Sequence, residues 1–84
     1  MRRTVIGVMG PGAELPEQLA RDAYELGKRI AGHKWVLLTG GRRAGVMDAA
    51  SRGAAEAGGD VLGILPDDDD HALSPHVTIA VRTG

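Results

Sequence analysis

The hydrophobic and polar positions of this chain form four short apolar runs, separated by glycine, proline and charged residues. The runs occupy residues 4–9, 35–39, 60–65 and 77–81. Their lengths and flanking residues are typical of β-strands. The run at 35–39 is apolar almost throughout, which predicts a central strand that is covered on both faces.

Two longer stretches between these runs carry apolar residues at helical spacing. Residues 17–31 predict a helix that follows Pro16 and ends at Gly32. Its predicted buried stripe, at spacings of four, three and four, is Leu19, Ala23, Leu26 and Ile30.

Residues 46–57 predict a second helix, which Gly58 and Gly59 end. The side chains of its buried stripe are small and would let the helix approach a sheet closely. That stripe is Val46, Ala50, Gly53, Ala54 and Ala57, with Asp48, Ser51, Arg52 and Glu56 mainly away from it.

The resulting order, β-α-β-α-β-loop-β, predicts an α/β fold with a Rossmann-like open parallel sheet and right-handed crossovers. With 84 residues, the chain forms one domain over residues 1–84. A three-layer α/β/α arrangement is expected, but two helices cover four strands incompletely. Either the chain is half of a larger domain or a partner chain covers the rest.

Composition narrows the classes of function. The chain has 13 glycines, no Phe and no Cys, so its core is aliphatic and it lacks disulfides and thiolate metal ligands. A net charge of −1 does not favour nucleic acid as a partner. The apolar runs are too short to span a membrane, and no signal peptide is evident. We therefore expect a cytoplasmic protein.

Two glycine-rich turns, at residues 7–12 and 39–45, carry the candidate chemistry. Both follow strands, so both should lie at the carboxyl edge of the sheet, where ligands of open α/β sheets bind. Bare main chain and free N–H groups at a helix start favour a phosphate. The candidate ligand-binding residues are Gly10, Pro11, Gly12, Thr39, Gly40, Gly41, Arg42, Gly45, Val46 and Met47.

Neither turn matches a standard fingerprint. Gly45 is not followed by the Lys-Ser/Thr of a Walker A loop, and the first turn is not G-x-G-x-x-G. Thr39 stands where a dinucleotide fold carries an acidic residue. This argues against a P-loop NTPase and a classical NAD enzyme. Ordinary tight turns, with Arg42 and Arg43 as a solvated pair, remain the alternative.

No other residues form a catalytic or metal-binding pattern. Asp67 to Asp70 with His71 favour a solvated acidic loop over a divalent-cation site, and His33 is expected at the surface. No nucleophile, base or pair of acids is spaced for catalysis. We predict neither catalytic nor metal-binding residues.

The segment TGGRRAGVMDAASRGAAEAGG at residues 39–59 resembles the Lonely-guy (LOG) family, and within it the relatives of the molybdenum-cofactor carrier protein. Residues 6–10, 61–66 and 83–84 support this resemblance. It covers nearly all of this chain, which corresponds to the N-terminal half of the family's members. It implies that residues 10–12 face the same pocket as the residues that frame a nucleotide or pterin phosphate, which are Gly40, Gly41, Arg42, Gly45, Val46 and Met47. It also implies a homo-oligomer.

Enzymes of that family cleave nucleoside 5′-monophosphates with a later Pro-Gly-Gly-x-Gly-Thr segment, a following Glu and an upstream Arg. The segment is absent from these 84 residues. The resemblance therefore favours a non-catalytic carrier or binding domain for a phosphate-bearing nucleotide or molybdenum cofactor. The alternatives are a phosphoribohydrolase completed by a partner chain and a fragment that oligomerises without binding a ligand.

Overall fold

Four parallel strands and two helices make up the part of the chain that the structure, a computed structural model, describes: residues 3–10, 16–40, 45–65 and 73–83. In chain order the elements are β1 Val5–Gly7, α1 Glu17–Gly32, β2 Val36–Thr39, α2 Gly45–Glu56, β3 Val61–Leu65 and β4 Ile79–Arg82. The predicted order of elements and the Rossmann-like parallel sheet are confirmed. The first strand is shorter than predicted, and the last lies slightly later in the chain.

The strands follow one another across the sheet in the order β1-β2-β3-β4, all parallel. Successive right-handed crossovers in one direction place both connecting helices on the same face. The core accordingly joins Val8, Leu37 and Val61 of the sheet to Ile30 of α1 and Ala54 of α2. Of the three layers expected, the described residues form two, so the fold is incomplete, as predicted.

The opposite face of the sheet is apolar and uncovered by the described residues. Side chains alternate along strands, so the residues between the core positions point away from the helices. Val5 is 48% exposed, Ile64 38%, Ile79 49% and Val81 39%. The strand register places Ile64 beside Val81 and Leu62 beside Ile79, which makes these side chains neighbours on one surface.

The two helices touch through glycine rather than through large side chains. A Cβ atom on Gly27 would overlap the carbonyl oxygen of Ala50, and one on Gly53 would overlap that of Tyr24. Because of this close approach, the buried face of α1 differs from the predicted stripe. Ala23, Gly27, Ile30 and Ala31 are buried, whereas Leu19 and Leu26, which the spacing predicted to be buried, are 41% and 44% exposed.

Both helices end in a Schellman motif. In α2, the N–H groups of Gly58 and Gly59 donate to Ala55 and Ala54, and Gly58 has a φ of +79°. In α1, Lys34 and Trp35 donate to Ala31 and Ile30, and Lys34 takes a φ of +61°. The helix ends at Gly32, as predicted, but the left-handed residue that closes the motif is Lys34 and not a glycine.

Threonines attach both ends of the edge strand β4. The Oγ1 of Thr78 accepts a hydrogen bond from the Val61 N–H at 2.8 Å, and its own N–H donates to the Val61 carbonyl at 2.9 Å. Beyond the other end, the Thr83 N–H donates to the Leu65 carbonyl at 2.9 Å. These bonds hold a strand whose four residues are all exposed.

Candidate functional site

The described parts of the two glycine turns, residues 7–10 and 39–40, lie at the carboxyl edge of the sheet, and both contact the first turn of α2. A Cβ atom on Gly10 would lie only 2.8 Å from the Cβ of Val46, so the chain after β1 packs directly on α2. The Gly40 N–H, after β2, donates to the sulfur of Met47 at 3.3 Å. Consecutive helix residues thus contact the two bends separately.

Pairing between the strands continues into this edge. The Val8 N–H donates to the Leu38 carbonyl at 2.8 Å, beyond the last residue of β1. This bond carries the register of β1 and β2 forward to the residue before Met9 and Gly10. The position of the first bend is therefore set by the sheet as well as by Val46.

The candidate residues differ in how accessible they are. Thr39 is fully buried and Met47 is 8% exposed, so both lie beneath the surface of the site. Gly10 is exposed, and Gly40, Gly45 and Val46 are half-buried. The accessible candidate residues in the described part of this edge are therefore three glycines and Val46.

The start of α2 has the features of an anion-binding position. Gly45 begins the helix with a φ of +74°, a left-handed conformation that glycine adopts without steric cost. The first N–H groups of a helix have no partners within the helix, and the helix dipole places partial positive charge at the same end. A phosphate group suits this end of the helix.

Several predicted residues lie outside the described part of the chain. They are the candidate ligand-binding residues Pro11, Gly12, Gly41 and Arg42, together with Arg43 and the acidic segment at residues 67–71. Among the described residues, no group of three or more His, Cys, Asp or Glu side chains is placed to hold a metal ion. Neither described helix is long and apolar enough to cross a membrane.

A buried polar contact beside the site was missed by the sequence analysis. The Ser74 hydroxyl donates to the Asp48 carboxylate at 2.6 Å and accepts from the His76 N–H at 3.2 Å. Ser74 is 1% exposed. The partners stand 26 residues apart, and the spacing of α2 placed Asp48 away from the buried stripe. No local pattern could have paired them.

Ser51 was likewise assigned to the polar side of the second helix, and that assignment is wrong. Its side chain is fully buried. The hydroxyl donates to the Met47 carbonyl at 2.7 Å, one turn earlier in the same helix. A serine that bonds its own helix in this way can be buried without a partner from another element.

Comparison with known proteins gives a family match over nearly the whole chain. The model of the SLOG cluster4 family matches residues 3–84. A protein of Archaeoglobus fulgidus is 46% identical over 66 residues, which are 79% of this chain and 42% of that protein. The family match confirms the resemblance found at residues 39–59.

Solved structures of molybdenum-cofactor proteins have the same fold. The molybdenum cofactor binding protein of Rippkaea orientalis is 51% identical, with a TM-score of 0.93 over 100% of this chain and 52% of its own. The molybdenum cofactor carrier protein of Chlamydomonas reinhardtii is also 51% identical, with a TM-score of 0.91 over 99% of this chain and 51% of its own. The chain thus spans about half the length of these proteins.

Proposed function

The chain belongs to the SLOG cluster4 family, and from this we propose that it binds a small phosphate-bearing ligand, the molybdenum cofactor, as a binding or carrier domain. The observation that carries the proposal is the 51% identity to a molybdenum cofactor binding protein, with a TM-score of 0.93 over the whole chain. At such identity, the main-chain geometry of a binding edge is expected to be retained along with the fold.

The geometry of the carboxyl edge supports this ligand class. The phosphate would lie against the N–H groups that begin α2, with the bends at Gly10 and Gly40 on either side. Arg42, outside the described residues, would add a charge-assisted hydrogen bond to the phosphate. The remaining candidate residues, Pro11, Gly12, Thr39, Gly41, Gly45, Val46 and Met47, would shape the same cradle.

Equilibrium dialysis tests the proposal directly. The purified chain is dialysed against molybdenum cofactor released from a molybdoenzyme, and bound molybdenum is counted by mass spectrometry. We expect about one molybdenum per site and a dissociation constant in the micromolar range or below, where 1 μM corresponds to about −8.2 kcal/mol. A wild-type chain that does not bind this cofactor would refute the proposal, whether or not it binds AMP.

Two variants locate the site. Arg42→Ala is expected to weaken binding by about tenfold or more through loss of a charge-assisted bond, and Gly41→Val by obstructing the main chain. Arg21→Ala is the matched control, because Arg21 lies on α1 in an exposed ion pair with Glu17. Equal loss in Arg42→Ala and Arg21→Ala would place the ligand elsewhere.

The phosphoribohydrolase alternative is read from the same samples. Incubation with AMP, followed by chromatography for free adenine, detects cleavage of the N-glycosidic bond. We expect AMP to be recovered intact, because residues 1–84 lack the catalytic segment of the family. Adenine release that rises with protein concentration would instead favour the enzyme.

A further inference from the structure

Three consecutive residues of α2 each contact a different connection between strands. Val46 packs on Gly10 after β1, Met47 accepts from Gly40 after β2, and Asp48 accepts from Ser74, in the connection between β3 and β4. Neighbouring helix residues point about 100° apart, so three of them span about 200° around the axis. One helical turn therefore sets the positions of three connections.

The proton of the Ser74 hydroxyl has a defined direction. A serine hydroxyl has one proton and can also accept. Because Ser74 accepts from the His76 N–H at 3.2 Å, its proton is directed to the Asp48 carboxylate at 2.6 Å. Ser74 is 1% exposed, so water does not compete from the side of the serine. A short hydrogen bond to a charged acceptor is among the stronger kinds.

The contacts of α2 with α1 lie beyond its first turn. Gly53 meets the main chain of α1 at Tyr24, and Glu56 accepts from the Tyr24 hydroxyl at 2.6 Å. These contacts hold the second half of α2. In the first turn, the bond between Asp48 and Ser74 joins the helix to the segment before β4.

We propose that Asp48 and Ser74 form a positioning pair, which anchors the first turn of α2 to the connection before β4 and so keeps the bends at Gly10 and Gly40 aligned for one ligand. The pair acts through Val46 and Met47 and does not itself touch the ligand. This inference rests on the proposed function for its ligand, but its effect on the first turn exists in the free protein.

The test compares four variants of the full chain by NMR. Ser74→Ala and Asp48→Ala remove the bond, and Asp48→Asn keeps an acceptor oxygen. Tyr24→Phe is the matched control, because it removes a hydroxyl–carboxylate bond of 2.6 Å to Glu56 at the other end of α2. The readouts in the free protein are hydrogen exchange of the Gly40 amide and the chemical shift of the Met47 methyl group. Exchange of the Gly32 amide, in the last turn of α1, serves as an internal reference.

We expect Ser74→Ala and Asp48→Ala to speed Gly40 exchange by about tenfold and to shift the Met47 methyl resonance, since the bond lost is of the charged kind. Asp48→Asn, which keeps the acceptor without its charge, should fall between the wild type and Asp48→Ala, and Tyr24→Phe should leave both readouts unchanged. Binding of the molybdenum cofactor should weaken about tenfold in the first two variants alone.

Unchanged Gly40 exchange in Ser74→Ala would overturn the inference, as would an equal change in Tyr24→Phe. Should Ser74→Ala fail to fold, Asp48→Ala against Asp48→Asn decides the same question at one position. If the wild type does not bind the cofactor, the proposed function is refuted but the positioning pair is not. The exchange measurements on the free protein would still decide whether the pair positions the turn.

Discussion

Lys34, two residues after Gly32, adopts the left-handed backbone conformation in which a glycine commonly ends a helix. Both helices end in the same motif, yet the left-handed residue is Gly58 in one and Lys34 in the other. A left-handed conformation costs a side-chain-bearing residue about 1–2 kcal/mol. The backbone conformation at Lys34 is therefore less favourable for this lysine than it would be for a glycine.

Lys34→Gly is expected to stabilise the protein by about 0.5–1 kcal/mol, the relief of that cost minus the greater entropy of an unfolded glycine. Urea unfolding followed by circular dichroism measures the change. Lys28→Gly is the matched control, since Lys28 lies inside α1, where glycine costs about 1 kcal/mol. Destabilisation by both substitutions would contradict the role assigned to Lys34.

Tyr24 links α1 to the end of α2. Its hydroxyl donates to the Glu56 carboxylate at 2.6 Å, and the guanidinium of Arg52 lies 5.0 Å from the centre of its ring. The hydrogen bond to Glu56, with lesser effects of burial and of the Glu56 charge, raises the pKa of Tyr24 above its ordinary value of 10.0. The neutral phenol is thus the form that favours the folded state.

The stability gained from this bond should depend on pH in a defined direction. Because the folded pKa of Tyr24 exceeds the unfolded one, the gain is fully present below pH 10 and is lost as pH rises through the folded pKa. Free energies of unfolding of wild type and Tyr24→Phe, compared at pH 8 and pH 11, should differ more at pH 8. A difference that does not change with pH would refute the assignment.

At the scale of elements, α1 packs closely on α2 because two positions of the interface are glycines, which have no side chain. The backbones meet at Gly27 and Gly53, where no Cβ can be accommodated without movement. Because the helices approach at these glycines, the small side chains around them fill the interface. The leucines of α1 are consequently left at its rim.

Gly53→Ala is expected to destabilise the protein by about 3 kcal/mol, because the added methyl group would meet the main chain of α1 rather than a movable side chain. Gly32→Ala is the matched control: nothing lies within 4 Å of a Cβ there, so it should stabilise the helix by up to about 1 kcal/mol. Chemical denaturation measures both. Similar effects of the two substitutions would contradict the close contact.

The sequence predicted the elements well because apolar runs and glycines mark them directly. It misplaced Leu19 and Leu26 because a hydrophobic pattern gives no weight to glycine, which here makes the closest contacts. It placed both glycine bends at one edge, since they follow parallel strands. It did not find Asp48 and Ser74, because these residues stand 26 positions apart in the sequence and no local pattern pairs them.

At the scale of the whole molecule, the order of the strands decides which face is covered. The order of the strands in the sheet depends on which strands pair, and the sequence pattern of helices and strands does not specify that pairing. Once β1, β2, β3 and β4 are neighbours in sequence order, both helices lie on one side. The prediction of a homo-oligomer remains a prediction, as does the cytoplasmic location.

The aliphatic face of the sheet, which the described residues leave uncovered, is expected to make the association of this chain depend on its concentration. Exposed Val5, Ile64, Ile79 and Val81 lose contact with water whenever another apolar surface covers them. In dilute solution they face solvent, whereas crowded or concentrated samples offer partners for them. Ligand affinities measured at nanomolar and at millimolar protein concentration would then refer to different association states. Ligand titrations of this chain should therefore cover both concentration ranges.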